Sequence, residues 1–154
     1  MAKGMAKGME GLERLLAIED IKTLRAKYCR SIDSHNFDRL REVLTEDFLL
    51  DMSPTGKVLG SEVPPIAGRE TVIGMMHQAF APMTMLLHIV TIPEIEFQDE
   101  SHATGVWRQE TFIKETRPEL PGLGLAYATV FDTYRKEPEG WRIASVRVEL
   151  DIVL

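Results

Sequence analysis

The chain carries a single cysteine, Cys29, among its 154 residues. A lone thiol has no partner for an internal disulfide, so a reducing compartment is expected, taken here as the cytoplasm. No apolar run reaches the ~18–20 residues that span a bilayer, and no membrane partner is expected. The net charge is −6, and the 18 basic residues form no Lys/Arg cluster. Nucleic-acid binding needs such a patch and is disfavoured. His35, His77, His88 and His102 stand at no metal-ligand spacing, and one cysteine makes no zinc site. Gly122 and Gly124 lack the strand–turn–helix setting of a dinucleotide fingerprint, and neither a Gly-x-Ser-x-Gly nor a phosphate loop occurs. No metal or cofactor is expected. Residues 1–9 repeat a four-residue unit without the apolar stretch of a secretory signal and read as a disordered tail.

What is present suits one soluble domain over residues 10–154. Apolar residues make up 44% and charged residues 27% of the chain, enough to bury a core without crosslinks. Between residues 10 and 33, Leu12, Leu15, Leu16, Ile21, Leu24, Tyr28 and Ile32 recur at helical steps. Glu13, Arg14, Glu19, Lys22, Arg25 and Lys27 fill the other side. A short helix is predicted over 37–45, a turn at 45–47 and a short strand over 48–52. Residues 53–67 hold Pro54, Pro64, Pro65, Gly56 and Gly60 and read as a long loop. A third helix is predicted over 68–80. From residue 84 the period alternates. Four long strands are predicted over 85–97, 103–114, 123–135 and 141–153, joined by short turns and therefore antiparallel. Helices grouped before strands give an α+β fold, a curved antiparallel sheet with three N-terminal helices on one face. Such a sheet encloses a cavity suited to a small molecule.

Several stretches carry a resemblance. Ile21-Lys-Thr-Leu-Arg-Ala-Lys-Tyr28-Cys-Arg-Ser-Ile-Asp33 runs on through Ser34 to Glu46-Asp47-Phe48. In the second half, His88 enters one predicted strand, and Ala103-Thr-Gly-Val-Trp107, Phe131-Asp-Thr-Tyr134 and Gly140-Trp-Arg-Ile143 lie in the next three. Over residues 12–154 the chain resembles the SnoaL-like branch of the NTF2-like superfamily. The resemblance implies a cone-shaped, cystatin-like α+β fold. Members of the scytalone dehydratase, bile-acid dehydratase and hexachlorocyclohexane dehydrochlorinase types are cofactor-free and remove a proton with a His–Asp pair. The resemblance places that pair on His88 and Asp33. It sets a dehydrochlorinase-type arginine on Arg147, one residue out of register. The chain departs where scytalone dehydratase has a second histidine, here Trp107, a tyrosine, here Met52, and a serine and an asparagine, here Ala128 and Val130.

A histidine titrates near neutrality, about 6.5 when unperturbed, and can accept a proton at physiological pH. A carboxylate on its far nitrogen fixes the tautomer and stabilises the imidazolium. Taken singly, His88 also fits a core histidine and Asp33 a turn carboxylate after a helix. The Tyr28 hydroxyl reaches the cavity, or the ring is core. Trp107 is a wall for a ring-shaped ligand, or core. Met52 and Met76, with Met75, Met83 and Met85, offer a soft lining or ordinary packing. Arg147 is read on one strand face with Trp141, Ile143 and Ser145. There it clamps an oxygen in the cavity, or pairs at an interface with a neighbour's carboxylate such as Glu149 or Asp151.

The function expected is a cofactor-free lyase or isomerase of dehydratase or cyclase type, with His88, Asp33 and Tyr28 catalytic and Trp107, Arg147, Met52 and Met76 binding substrate. The partner is a small hydrophobic ring-like ligand, which the family resemblance suggests is polyketide-like or steroid-like. The alternative is a non-catalytic ligand-binding or accessory subunit, like a ring-hydroxylating dioxygenase β subunit. An epoxide hydrolase would need Asp33, Arg147 and Asp132 around one water. Apolar groups on both faces of 141–153 predict a homodimer, with a trimer as second choice.

Overall fold

The structure, a computed structural model, describes residues 10–115 and 123–154. The expected tail at 1–9 and the turn at 117–122 lie outside the described residues. Helix α1 (Gly11–Asp33) is followed by a 3₁₀ turn, Phe37–Glu42. Then come β1 (Leu44–Asp51), α2 (Ser53–Val58), β2 (Ile66–Ala67) and α3 (Arg69–Ala79). The rest is strand: β3 (Met83–Val90), β4 (Glu94–Phe97), β5 (His102–Glu115), β6 (Leu123–Glu137) and β7 (Gly140–Val153). One seven-stranded sheet has the order β2-β1-β7-β6-β5-β3, with β4 also on β5. The mixed α+β class and the curved, unclosed sheet match the sequence expectation. All pairs are antiparallel except β1 with β7, which is parallel.

Helix α1 crosses the concave face. Ile21, Leu24, Tyr28 and Ile32 are buried there, as the stripe predicts, but Arg25 lies buried among them rather than on the polar side. Residue 25 is four after Ile21 and three before Tyr28, the spacing of one helix face. The first turns of α1 differ from the stripe: Leu12, Leu15 and Leu16 are 70%, 62% and 58% exposed.

Four local expectations are corrected. The second helix is a 3₁₀ turn that stops at Glu42, and Leu44 starts β1. The turn-type residues Thr45, Glu46 and Asp47 therefore lie inside a strand, where the β1–β7 register shifts between Leu44 and Leu49. The loop 53–67 contains α2, with Pro54 in the first turn where its missing N–H is harmless. Asp51 accepts the Ser53 N–H at 2.9 Å and hydroxyl at 2.6 Å and fixes that start. The strand 85–97 is two strands, because Pro93 has no ladder N–H and Ile92 turns to solvent.

The core between α1, α3 and the sheet includes Ile21, Phe37, Leu40, Phe48, Val72, Met76, Trp107, Val130, Tyr134 and Ile143. Gly105 is required in the floor: a Cβ there would meet the Tyr134 ring at 3.0 Å and its hydroxyl at 3.2 Å. Among the described residues no helix is long and apolar enough to cross a membrane.

Candidate active site

The last residue of α1 and the middle of β3 come together inside the cone. His88 Nδ1 lies 2.5 Å from Asp33 Oδ1. The same carboxylate accepts the His88 backbone N–H at 3.2 and 3.1 Å. Asp33 thus holds both the ring and the main chain of one residue. An ionised carboxylate only accepts, so Nδ1 carries the proton and Nε2 keeps its lone pair. Nε2 has no partner among the described residues. The side chains keep 12% and 16% exposure, so the pair is reachable from solvent.

A second polar system fills the inner face beyond it. Arg25 Nη1 donates to Asp132 at 3.3 and 3.4 Å, and Nη2 donates to Gln109 Oε1 at 2.7 Å. The Tyr134 hydroxyl donates to Asp132 at 2.7 Å and accepts the Trp107 indole N–H at 2.9 Å. Gln109 Nε2 donates to Thr111 Oγ1 at 3.1 Å. Burial is the largest influence and works against the Arg25 charge, but Asp132, with Cys29, Tyr28 and Tyr134, together outweigh it and raise the guanidinium. Burial likewise pushes the Asp132 carboxyl up, with Arg25 and the Tyr134 hydroxyl pulling the other way. The Arg25 Nε atom is buried without a hydrogen-bond partner. The sequence reading missed Arg25, Gln109 and Thr111, and weighed Asp132 in another role. The signal for Arg25 was its spacing on the buried stripe.

The other expected residues divide. Tyr28 is buried against the Arg25 guanidinium, 5.0 Å from the ring centre, and burial raises its hydroxyl well above the ordinary range. Trp107 and Met76 are buried core, and Met52 is half-buried beside α2. Arg147 does not face the cone. Tyr134 pairs with Ile143 but Thr133 pairs with Ser145, so Ala144 is an extra residue that reverses the alternation. Trp141, Ile143, Val146 and Val148 turn inward, and Arg147 lies outside against Phe131. It pairs there with Glu149 at 2.6 Å and Asp51 at 3.7 Å. The cluster of Asp33, Arg147 and Asp132 that epoxide hydrolysis would need is not assembled, since each has a different partner.

A groove of about 450 Å³ opens elsewhere, lined by Arg41, Arg69, Arg135, Arg142 and four carboxylates, with no dyad residue in its wall. No group of three or more His, Cys, Asp and Glu side chains able to hold a metal is found among the described residues.

A helix laid across a curved, open sheet, with a His–Asp pair where α1 meets β3, defines an NTF2-like, cystatin-like architecture. The family model for the SnoaL-like domain matches residues 13–147, and the chain belongs to that family. Among solved structures, the chain is similar to a protein provisionally named a scytalone dehydratase from Novosphingobium aromaticivorans. That match has a TM-score of 0.80 and 16% identity over 92% of this chain and 89% of that one. Hexachlorocyclohexane dehydrochlorinase LinA-type3 from Novosphingobium barchaimii matches with a TM-score of 0.79 and 15% identity, covering 93% and 92%. An NTF2-like protein with a cystatin-like fold from Novosphingobium aromaticivorans matches with a TM-score of 0.72 and 21% identity, covering 90% and 84%. At these identities the likeness is one of fold.

Proposed function

We propose that the protein is a cofactor-free lyase or isomerase that removes a carbon-bound proton from a small, apolar, oxygenated ring compound. The observation that carries this is the contact between His88 Nδ1 and Asp33, which leaves Nε2 as the available base. Proton abstraction places positive charge on the imidazole, and Asp33 stabilises it at a distance where hydrogen bond and charge act together. Polyketide-like and steroid-like rings are the substrate classes, by analogy with the family. Tyr28 remains a catalytic candidate only through its hydroxyl, since its ring is packed under Arg25. Met52, Met76 and Trp107 serve as apolar wall. The buried, unpaired thiol of Cys29 suits a reducing cytoplasm.

The test is exchange of the proton beside the carbonyl of bicyclic aromatic ketones in heavy water, followed by NMR. The wild type should accelerate exchange, and His88→Gln should lose about 10²–10⁴-fold of it with the fold intact. Equal rates in both proteins would sink the base assignment.

The accessory-subunit reading is favoured by one feature, the apolar outer side of the sheet. Leu87 and Ile89 on β3, and Ile152 on β7, are about half exposed in the single chain. We propose that a second copy of this chain covers them as a homodimer. Light scattering should return twice the chain mass, and a monomer would remove this proposal.

A further inference from the structure

Polarity runs in one direction along the inner network. Arg25 has only donors, so the Gln109 atom 2.7 Å from its Nη2 must be the amide oxygen. The Gln109 amide nitrogen then faces Thr111 and donates to Oγ1 at 3.1 Å. Thr111 is left with its own hydroxyl proton to give, and no acceptor for it exists among the described residues. Thr111 is also the antiparallel partner of His88, so the two side chains stand on the same face of neighbouring strands.

The next strand carries small side chains beside them. Across β5–β6, Thr111 pairs with Ala126 and Gln109 with Ala128, whereas deeper in the cone Trp107 pairs with Val130 and Ala103 with Tyr134. Large side chains fill the floor, and small ones face Thr111 at the end where His88 and Asp33 keep their exposure. Val90 and Ile113 flank the spot and are half-buried.

We propose that Thr111 is a substrate-binding residue, whose hydroxyl donates to the carbonyl oxygen of a flat ring ketone lying over Ala126 and Ala128. Gln109 and Arg25 are positioning residues that aim this hydroxyl. The role in turnover rests on the His88 assignment above. The carbon next to the carbonyl gives its proton to His88 Nε2, and the C–H electron pair moves into a C=C bond. The carbonyl π pair moves onto oxygen, where the Thr111 hydroxyl stabilises the enolate. Returning a proton, or a deuteron in heavy water, from His88 to carbon restores the ketone.

The probes are 1-indanone and indane, which share a ring system and differ in the carbonyl. The wild type should bind the ketone about tenfold more tightly than the hydrocarbon, the scale of one hydrogen bond. The infrared carbonyl band of the bound ketone should shift to lower frequency. Thr111→Ser should keep both effects, and Thr111→Val should lose both. Gln109→Glu is the decisive variant. It preserves the Arg25 contact but presents only acceptors to Thr111, which then donates to residue 109 and not to the ketone. It should therefore lose the preference and the band shift with Thr111 still in place. No ketone binding, no ketone preference in the wild type, or an unchanged preference in both Thr111→Val and Gln109→Glu overturns the proposal. His88→Gln separates the two readings. It should stop proton exchange while leaving the ketone preference and the band shift. A wild type that shows both binding effects but exchanges no proton overturns the base assignment alone.

Discussion

Strand β6 contributes to two carboxylate–guanidinium pairs that differ in almost everything except chemistry. Asp132 meets Arg25 inside the cone at 3.3 Å, with side chains 0% and 2% exposed. Arg135 meets Asp47 near the rim at 2.8 Å, with side chains 35% and 68% exposed. The shorter contact is the weaker one. At the rim, water and salt compete for both partners, and such pairs contribute about 0–1 kcal/mol. In the cone neither partner can return to water, so removing one strands the other at about 3–5 kcal/mol. Distance describes geometry, and burial sets the energy.

The largest expected effect comes from breaking the inner pair on one side. Asp132→Ala should lower stability by about 3–5 kcal/mol in urea unfolding, because Arg25 stays buried and charged. Replacing both partners by apolar residues, Arg25→Met with Asp132→Leu, should recover most of that loss, since no charge is then stranded. A single Asp132→Ala variant that loses under about 1 kcal/mol would erase the distinction between the two pairs.

The two regions also differ in how legible they were. The strands and α1 followed from periodicity, and the His88–Asp33 contact followed from matching short words on α1 and β3 to a family, not from spacing, since 55 residues separate the two. The inner network escaped because a charge in a helix is normally solvated, which made Arg25 look like surface although its spacing put it with Ile21 and Tyr28. Arg147 was misplaced for a different reason. Side-chain parity along a strand survives only while the register does, and the extra residue at Ala144 swaps the faces. Pro93 divides one predicted strand into β3 and β4. Bulges and buried ion pairs are decided by tertiary contacts that a linear pattern does not contain.

A second, smaller effect tests the same contrast with uncharged groups. At Gly105 an added Cβ would press on Tyr134 at 3.0 Å, while at Gly74 in α3 it would meet nothing within 4 Å. Gly105→Ala should cost about 1–3 kcal/mol by overpacking the floor. Gly74→Ala should stabilise by about 0.5–1 kcal/mol, because alanine loses less backbone entropy in a helix. Both are read from thermal or urea midpoints, and equal signs would mean that the floor under Arg25 and Asp132 yields more readily than its packing indicates.

The smallest effect belongs to the rim pair and has a pH signature. The Arg135 guanidinium, with help from Thr45, lowers the Asp47 carboxyl from 3.8 to about 2. A carboxyl whose folded value is depressed adds stability at pH above its unfolded value and loses it as pH falls through the folded one. The contribution is therefore present above about pH 4 and fades towards pH 2. Because Asp47 is 68% exposed, solvent screening holds it under about 1 kcal/mol. Asp47→Asn should unfold at nearly the wild-type urea midpoint at pH 6, slightly lower. The gap should narrow at pH 3 and close near pH 2, because the wild type loses there what the variant never had. Raising salt should shrink the pH 6 difference, since the rim pair is screened, and should leave the loss in Asp132→Ala nearly unchanged. A rim variant that lost more than about 2 kcal/mol at pH 6, or ignored salt, would place Asp47 in the same energetic class as Asp132.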